Sequence, residues 1–133
     1  MRITARVANT ATTHTVEVAT DGPARTLAIP PKPAGRGSGV NGGELLFSAL
    51  ATCFCNDLYR EAAARGIPID GVEVEVTGEF GGRGEPARGV TYRVKVDSPA
   101  DRAVVDDLVR ATDAVTEIQN TLRHGCAVRL LTD

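Results

Sequence analysis

Apolar and polar side chains alternate over residues 2 to 8, 13 to 20 and 24 to 30, with Asn9-Thr10 and Asp21-Gly22-Pro23 between the runs. Alternation broken by turn formers predicts a three-stranded meander with one wet face. From Glu44 to Arg65 the rhythm changes. Leu45, Leu46, Ala49, Leu50, Cys53, Phe54 and Leu58 form the stripe of a helix packed on one face. At 1.5 Å per residue such a helix is about 33 Å long. Asn41 is placed to cap it, Glu44 suits the positive end of its dipole, and Gly66 with Pro68 supplies the stop. Strand patterns return at Val72 to Phe80 and Val90 to Val96, joined by the glycine-rich, charged stretch Gly81 to Gly89, which predicts a long hairpin. Asp101 to Thr112 reads as a helix with Val104, Val105, Leu108 and Val109 inward. A short helix follows over Thr116 to Leu122, ended by Gly125, and Cys126 to Leu131 reads as a last strand.

The expected order is βββαββααβ. Strands clustered before and after a helix, rather than alternating with helices one by one, indicate an α+β fold. With no internal repeat, low-complexity tract or linker, the chain reads as a single domain over residues 1–133. The segment 30–43, carrying Pro30, Pro31, Pro33, Gly35, Gly37 and Gly39 around Lys32 and Arg36, is a loop long enough to suggest a function.

Composition narrows the setting. Hydrophobic residues make up 42% and charged residues 24% of the 133, and the net charge of -2 gives no electrostatic reason to expect nucleic acid. With aromatic residues at 4% and no tryptophan, there is no base-stacking platform, and Val, Leu, Ile and Ala must fill the core. No apolar run approaches the length of a membrane span, so no membrane partner is expected. Three cysteines in no metal-ligand spacing suit a reducing, cytoplasmic setting, without a disulfide scaffold, metal or cofactor.

Chemistry centres on the cysteines. Cys53 and Cys55 lie about 200° apart around a helix, so they cannot bridge without unwinding a turn. As a Cys-x-Cys metal site they lack the accompanying second pair or histidines. Cys53, on the apolar stripe, is either a core thiol or a nucleophile shielded from water. A reactive thiol needs a cation, a helix N-terminus or a positioned donor to favour the thiolate, and Cys53 is too deep in its helix for that helix's own dipole. Arg36, in the loop leading into the helix, is a candidate guanidinium, and Arg25 on the preceding strand is a second. Glu44, turned inward, could fix such an arginine by a bidentate pair, or it is simply a first-turn acid. His14, in mid-strand, and His124, near a helix C-terminus, give little support to a Cys-His dyad and hence to a cysteine hydrolase. Cys126 opens the last strand and reads as structural.

The helix, with its Asn-x-x-Glu-Leu-Leu entry from Asn41 and its Ala-x-Cys-Phe centre at Ala51 to Phe54, together with Ile118-Gln119-Asn120-Thr121-Leu122, resembles the OsmC/Ohr family of thiol-dependent peroxidases. The order of elements is similar over nearly the whole chain. This resemblance implies an intertwined homodimer in which two small antiparallel sheets wrap long central helices, with active sites near the subunit interface. It implies that the peroxide-attacking cysteine is Cys53, with an arginine and a glutamate holding its thiolate; Arg36 and Glu44 are the candidates. Catalytic members carry a second cysteine in a Cys-Pro-x-x-x-x-Leu stretch. Aligned back from Leu122, Thr116 stands in place of that cysteine and Glu117 in place of the proline. The family glutamate often stands where this chain has Gly43, one residue before Glu44, and one residue turns a helical side chain by about 100°.

The function implied is reduction of organic hydroperoxides by the Cys53 thiolate, leaving a sulfenic acid that an external thiol must reduce, or Cys126 if the last strand brings it close. The alternative is a non-catalytic homodimer of the same fold that binds a small hydrophobic molecule or senses oxidants.

Overall fold

A computed structural model of the chain describes residues 1–132. They form two compact units, residues 1–45 and 46–132. The elements are β1 (Ile3–Asn9), β2 (His14–Thr20), β3 (Arg25–Leu27), α1 (Gly42–Ala64), β4 (Gly71–Phe80), β5 (Ala87–Asp97), α2 (Arg102–Val115) and α3 (Glu117–His124). The architecture is α+β, with two small antiparallel sheets and three helices.

In the first unit β1, β2 and β3 form the expected meander, with Val7 opposite Val16 and Val16 opposite Leu27. The register gathers the apolar side chains on one face, yet only Val16 is buried there, while Ile3 and Val7 are 63% and 61% exposed. The loop after β3 folds into a tight hairpin: the Lys32 amide donates to Gly37 O, Gly39 N–H to Pro30 O, and Gly37 N–H to the Asn9 side chain. Arg36 is exposed near its tip.

The start and stop of α1 follow the sequence signals. Asn41 Oδ1 accepts the Glu44 amide at 2.8 Å while Asn41 Nδ2 donates to Glu44 Oε1 at 2.6 Å, a reciprocal cap that satisfies an amide with no intrahelical partner. At the other end Gly66 adopts φ 66°, and the Ile67 amide reaches back to Ala62 O at 2.9 Å. This closing motif requires a left-handed residue, which glycine adopts without steric cost.

Within the second unit, Phe54, Leu58 and Ala62 of α1 and Leu108 of α2 are buried together against Val72, Val74, Tyr92, Val94 and Val96 of the β4–β5 hairpin. Full burial of a side chain such as Phe54 or Leu58 contributes about 1.5–3 kcal/mol. Near the start of α1, Phe47 stacks on Phe80, and it lies so close to Gly78 that a Cβ there would sit 2.8 Å from its ring. Gly78 falls where the β4–β5 register shifts between Thr77 and Glu79, so the missing side chain makes room for helix on sheet.

Two expectations are corrected. Val104, expected inward, is exposed; the buried stripe of α2 runs through Val105, Leu108 and Thr112, and the Thr112 hydroxyl is satisfied by Leu108 O at 2.8 Å. The last strand, Cys126 to Leu131, is not formed. Among the described residues no strand pairs with this segment, and Val128 and Leu130 are 94% and 89% exposed. Apolar alternation gives a strand only where an edge supplies the ladder partner.

Candidate functional site

Cys53 is half-buried on α1, between the buried Leu50 and Phe54 and the equally buried Asp57 one turn on. α2 ends at Val115 and α3 begins at Glu117, with Thr116 serving as the cap between them in an extended conformation. Thr116 is fully buried, and its hydroxyl donates to Asp113 O at 3.1 Å. This one-residue joint sets the first turn of α3 against the middle of α1.

The thiol of Cys53 consequently faces two carboxylates, donating toward Asp57 Oδ2 and Glu117 Oε2, each at 3.7 Å. Arg60 binds their far sides: its Nη1 lies 3.0 Å from Asp57 Oδ1 and 3.9 Å from Glu117 Oε1. Each carboxylate thus presents one oxygen to the guanidinium and the other to sulfur. The backbone amides of Ile118 and Glu117, at the start of α3, lie on the sulfur's side and favour its ionised form.

These neighbours pull the thiol in opposite directions. Burial pushes the Cys53 pKa up, and the charges of Asp57 and Glu117 add to that; the Ile118 and Glu117 amides oppose it without overcoming it. Cys53 at rest is a neutral thiol. Burial, then the hydrogen bond and charge of Glu117, also push Asp57 above the usual carboxylate range, with Arg60 only partly offsetting them. Glu117 goes the other way, held down first by its own amide and then by the hydrogen bond from Asp57. Of the two carboxyls, buried Asp57 is therefore the easier to protonate and exposed Glu117 the easier to ionise.

Of the residues singled out in the sequence, Cys53 occupies this cluster, and the side chains it bonds are Asp57 and Glu117. The Glu44 carboxylate is held by Asn41 in the helix cap, and Arg36 is exposed on the loop of the first unit. The guanidinium beside the thiol's carboxylates is that of Arg60. Asp57 and Arg60 had a legible signal, since they follow Cys53 by one and two helical turns, and a carboxylate in the buried stripe asks for a partner. Glu117 had none in spacing. His14 meets Asn9 at 3.1 Å, and His124 is exposed at the end of α3.

The sulfur and the carboxylate oxygens of Cys53, Asp57 and Glu117 lie within 4.8 Å of one another, a set of donors able to hold a metal ion. Close by, Leu46, Leu50, Phe80, Tyr92, Gln119 and Arg123 line an open, mainly apolar groove of about 640 Å³. Gln119 Nε2 donates to Leu50 O at 3.0 Å, which fixes the amide, and joins the groove wall to α1 one turn before the thiol. At the groove's edge, Tyr92 donates to Asp113, which Arg123 also holds at 2.6 Å. Burial tends to raise the Asp113 pKa, but these two hydrogen bonds and the charge of Arg123 outweigh it and hold the carboxyl below its usual range.

The sequence model of the family described as OsmC-like protein matches residues 35–130. Among solved structures, an OsmC-like protein from Mycoplasma pneumoniae is similar, with TM-score 0.65 and 20% identity, covering 90% of this chain and 87% of its own. An organic hydroperoxide resistance protein OsmC from Legionella pneumophila has TM-score 0.59 and 17% identity, covering 92% and 90% respectively. An OsmC-like protein of unknown function from Vibrio cholerae has TM-score 0.55 and 12% identity, covering 89% and 92%. At these identities the likeness is one of fold. Among curated proteins, none matches the chain in sequence.

Proposed function

The chain belongs to the family of OsmC-like proteins, and on that premise we propose that it reduces organic hydroperoxides through Cys53. The observation that carries the reading is the Cys53 thiol, hydrogen-bonded toward an ionised Glu117 and faced by the first amides of α3. In this reading Glu117 takes the thiol proton as sulfur attacks the peroxide. The sulfur electron pair forms the S–O bond, the O–O bond breaks, and the proton passes to the departing alkoxide, giving a sulfenic acid and an alcohol. The α3 amides steady the charge on sulfur in passing, the task expected of Arg36, while Asp57 and Glu117 hold Arg60, as Glu44 was expected to hold an arginine. The neighbouring groove accepts the apolar part of the hydroperoxide.

Thr116, in place of a resolving cysteine, offers no thiol for an internal disulfide. Cys126 is exposed on the segment after α3. An external thiol therefore condenses with the sulfenic acid, releasing water, and a second external thiol frees Cys53 as a disulfide departs. Such a cycle belongs in a reducing compartment, and we place the protein in the cytoplasm. No helix among the described residues is long and apolar enough to cross a membrane. We also propose a homodimer, supported by the exposed Ile3 and Val7 on the first sheet and Val128 and Leu130 after α3. Peroxide consumption with cumene hydroperoxide and dithiothreitol tests the reading; it is expected in the native chain and absent in Cys53→Ser.

A second reading, a non-catalytic member that binds a small apolar molecule in the groove, is favoured by the two carboxylates that face the Cys53 thiol at 3.7 Å and disfavour its ionised form. It predicts ligand binding with no peroxide consumption.

A further inference from the structure

We propose that Cys53, Asp57 and Glu117 form a binding site for a thiophilic divalent cation, zinc(II) by chemistry, independently of any peroxide turnover. The cluster draws on two helices and offers one sulfur and two carboxylate oxygens within 4.8 Å of one another. Zinc bonds sulfur at about 2.3 Å and carboxylate oxygen at about 2.0–2.2 Å in a tetrahedron, which puts each sulfur and oxygen about 3.5 Å apart. Both Sγ–O distances here are 3.7 Å, so a cation fits between the ligands with only small adjustment.

The surroundings suit a metal in three further ways. Arg60 binds the far oxygens of both carboxylates, which aims the near oxygens at sulfur, as partners behind metal ligands commonly do. With the thiol ionised, Cys53 and Glu117 already carry two negative charges against one guanidinium, before Asp57 gives up its own proton, and a divalent cation neutralises the excess. Glu117 is 65% exposed, which leaves a way in and room for a water or a small anion as fourth ligand. Sulfur in the set disfavours magnesium and calcium, which take oxygen ligands. Binding displaces the thiol proton into solvent, so affinity rises with pH. The sulfur lone pair that holds the cation is the one that attacks a peroxide, so an occupied site is closed to oxidation.

The test is titration of the chelator-treated full-length chain with cobalt(II), followed by displacement with zinc(II) in competition with a chromogenic chelator. The expected result is one cobalt per chain with a thiolate-to-cobalt charge-transfer band and the visible bands of a tetrahedral ion, both lost on zinc addition. Cys53→Ser should abolish the charge-transfer band. Glu117→Gln, at an exposed position that leaves the core intact, should weaken binding at least about tenfold, and Arg60→Gln about tenfold, as for other groups that orient metal ligands. Cys126→Ser should change nothing. Absence of stoichiometric uptake by the native chain, or a charge-transfer band retained in Cys53→Ser, overturns the site. Sulfenic acid formation in the metal-free chain is measured separately, so the failure of one proposal is distinguishable from the failure of the other.

Discussion

Glu117 Oε2 lies 3.7 Å from Cys53 Sγ, although the residues are 64 positions apart in the chain. The contact follows from a single joint: Thr116 ends α2 and opens α3, which leaves the first side chain of α3 against the middle of α1. The joint thus puts a carboxylate, and no second thiol, beside Cys53. A carboxylate raises a thiol's pKa while offering its proton somewhere to go, and the chemistry of the site turns on that balance.

Alkylation of Cys53 by iodoacetamide should therefore keep accelerating with pH beyond the ordinary thiol range near about 8.5. In Glu117→Gln the negative charge is gone and the α3 amides remain, so the rise should move to lower pH. A profile unchanged by the substitution would contradict the arrangement.

Gly78→Ala should destabilise the protein by about 1–3 kcal/mol, the usual cost of forcing atoms into a filled space. The added methyl would lie 2.8 Å from Phe47 Cζ and 3.0 Å from Val90 Cγ2. Pairing it with Phe47→Leu should recover part of the loss, as read by denaturant unfolding.

Leu58→Ala removes a fully buried side chain from the centre of the second unit's core and should cost about 2–5 kcal/mol. Leu122→Ala, at an exposed position, should stay within about 0.5 kcal/mol. Similar losses for the two would mean that the core is misplaced.

Asp113 should help set the acid limit of stability. Its folded pKa is lowered, against the effect of burial, by Tyr92 and Arg123, so the unfolded chain takes up the proton first as pH falls. The stabilisation is present above the unfolded carboxyl pKa, near about 3.9, and is lost as pH drops through the folded value. Asp113→Asn should weaken the protein at pH 7 and flatten its loss of stability toward pH 3. An acid limb as steep as the native one would contradict this.

Much of the fold was legible because its signals are local. Asn41 with Glu44 and Gly66 with Ile67 bracket α1 by contacts within a few residues, and the two hairpins follow from alternation and turn formers. The segment from Cys126 to Leu131 shows the limit, since its pattern is strand-like but a strand also needs an edge to pair with. The site divides the same way. Cys53 stood out as a thiol in an apolar stripe, and Asp57 and Arg60 share its helix. Glu117 reaches the thiol only through the α2–α3 joint, which no spacing along the chain encodes.

Intact-mass analysis after one equivalent of cumene hydroperoxide, with dimedone present to trap sulfenic acid, tests the central claim most directly. The account predicts one dimedone adduct per chain, located on the peptide carrying Cys53 and absent from Cys53→Ser. An unmodified native chain, or the same adduct in Cys53→Ser, would contradict it.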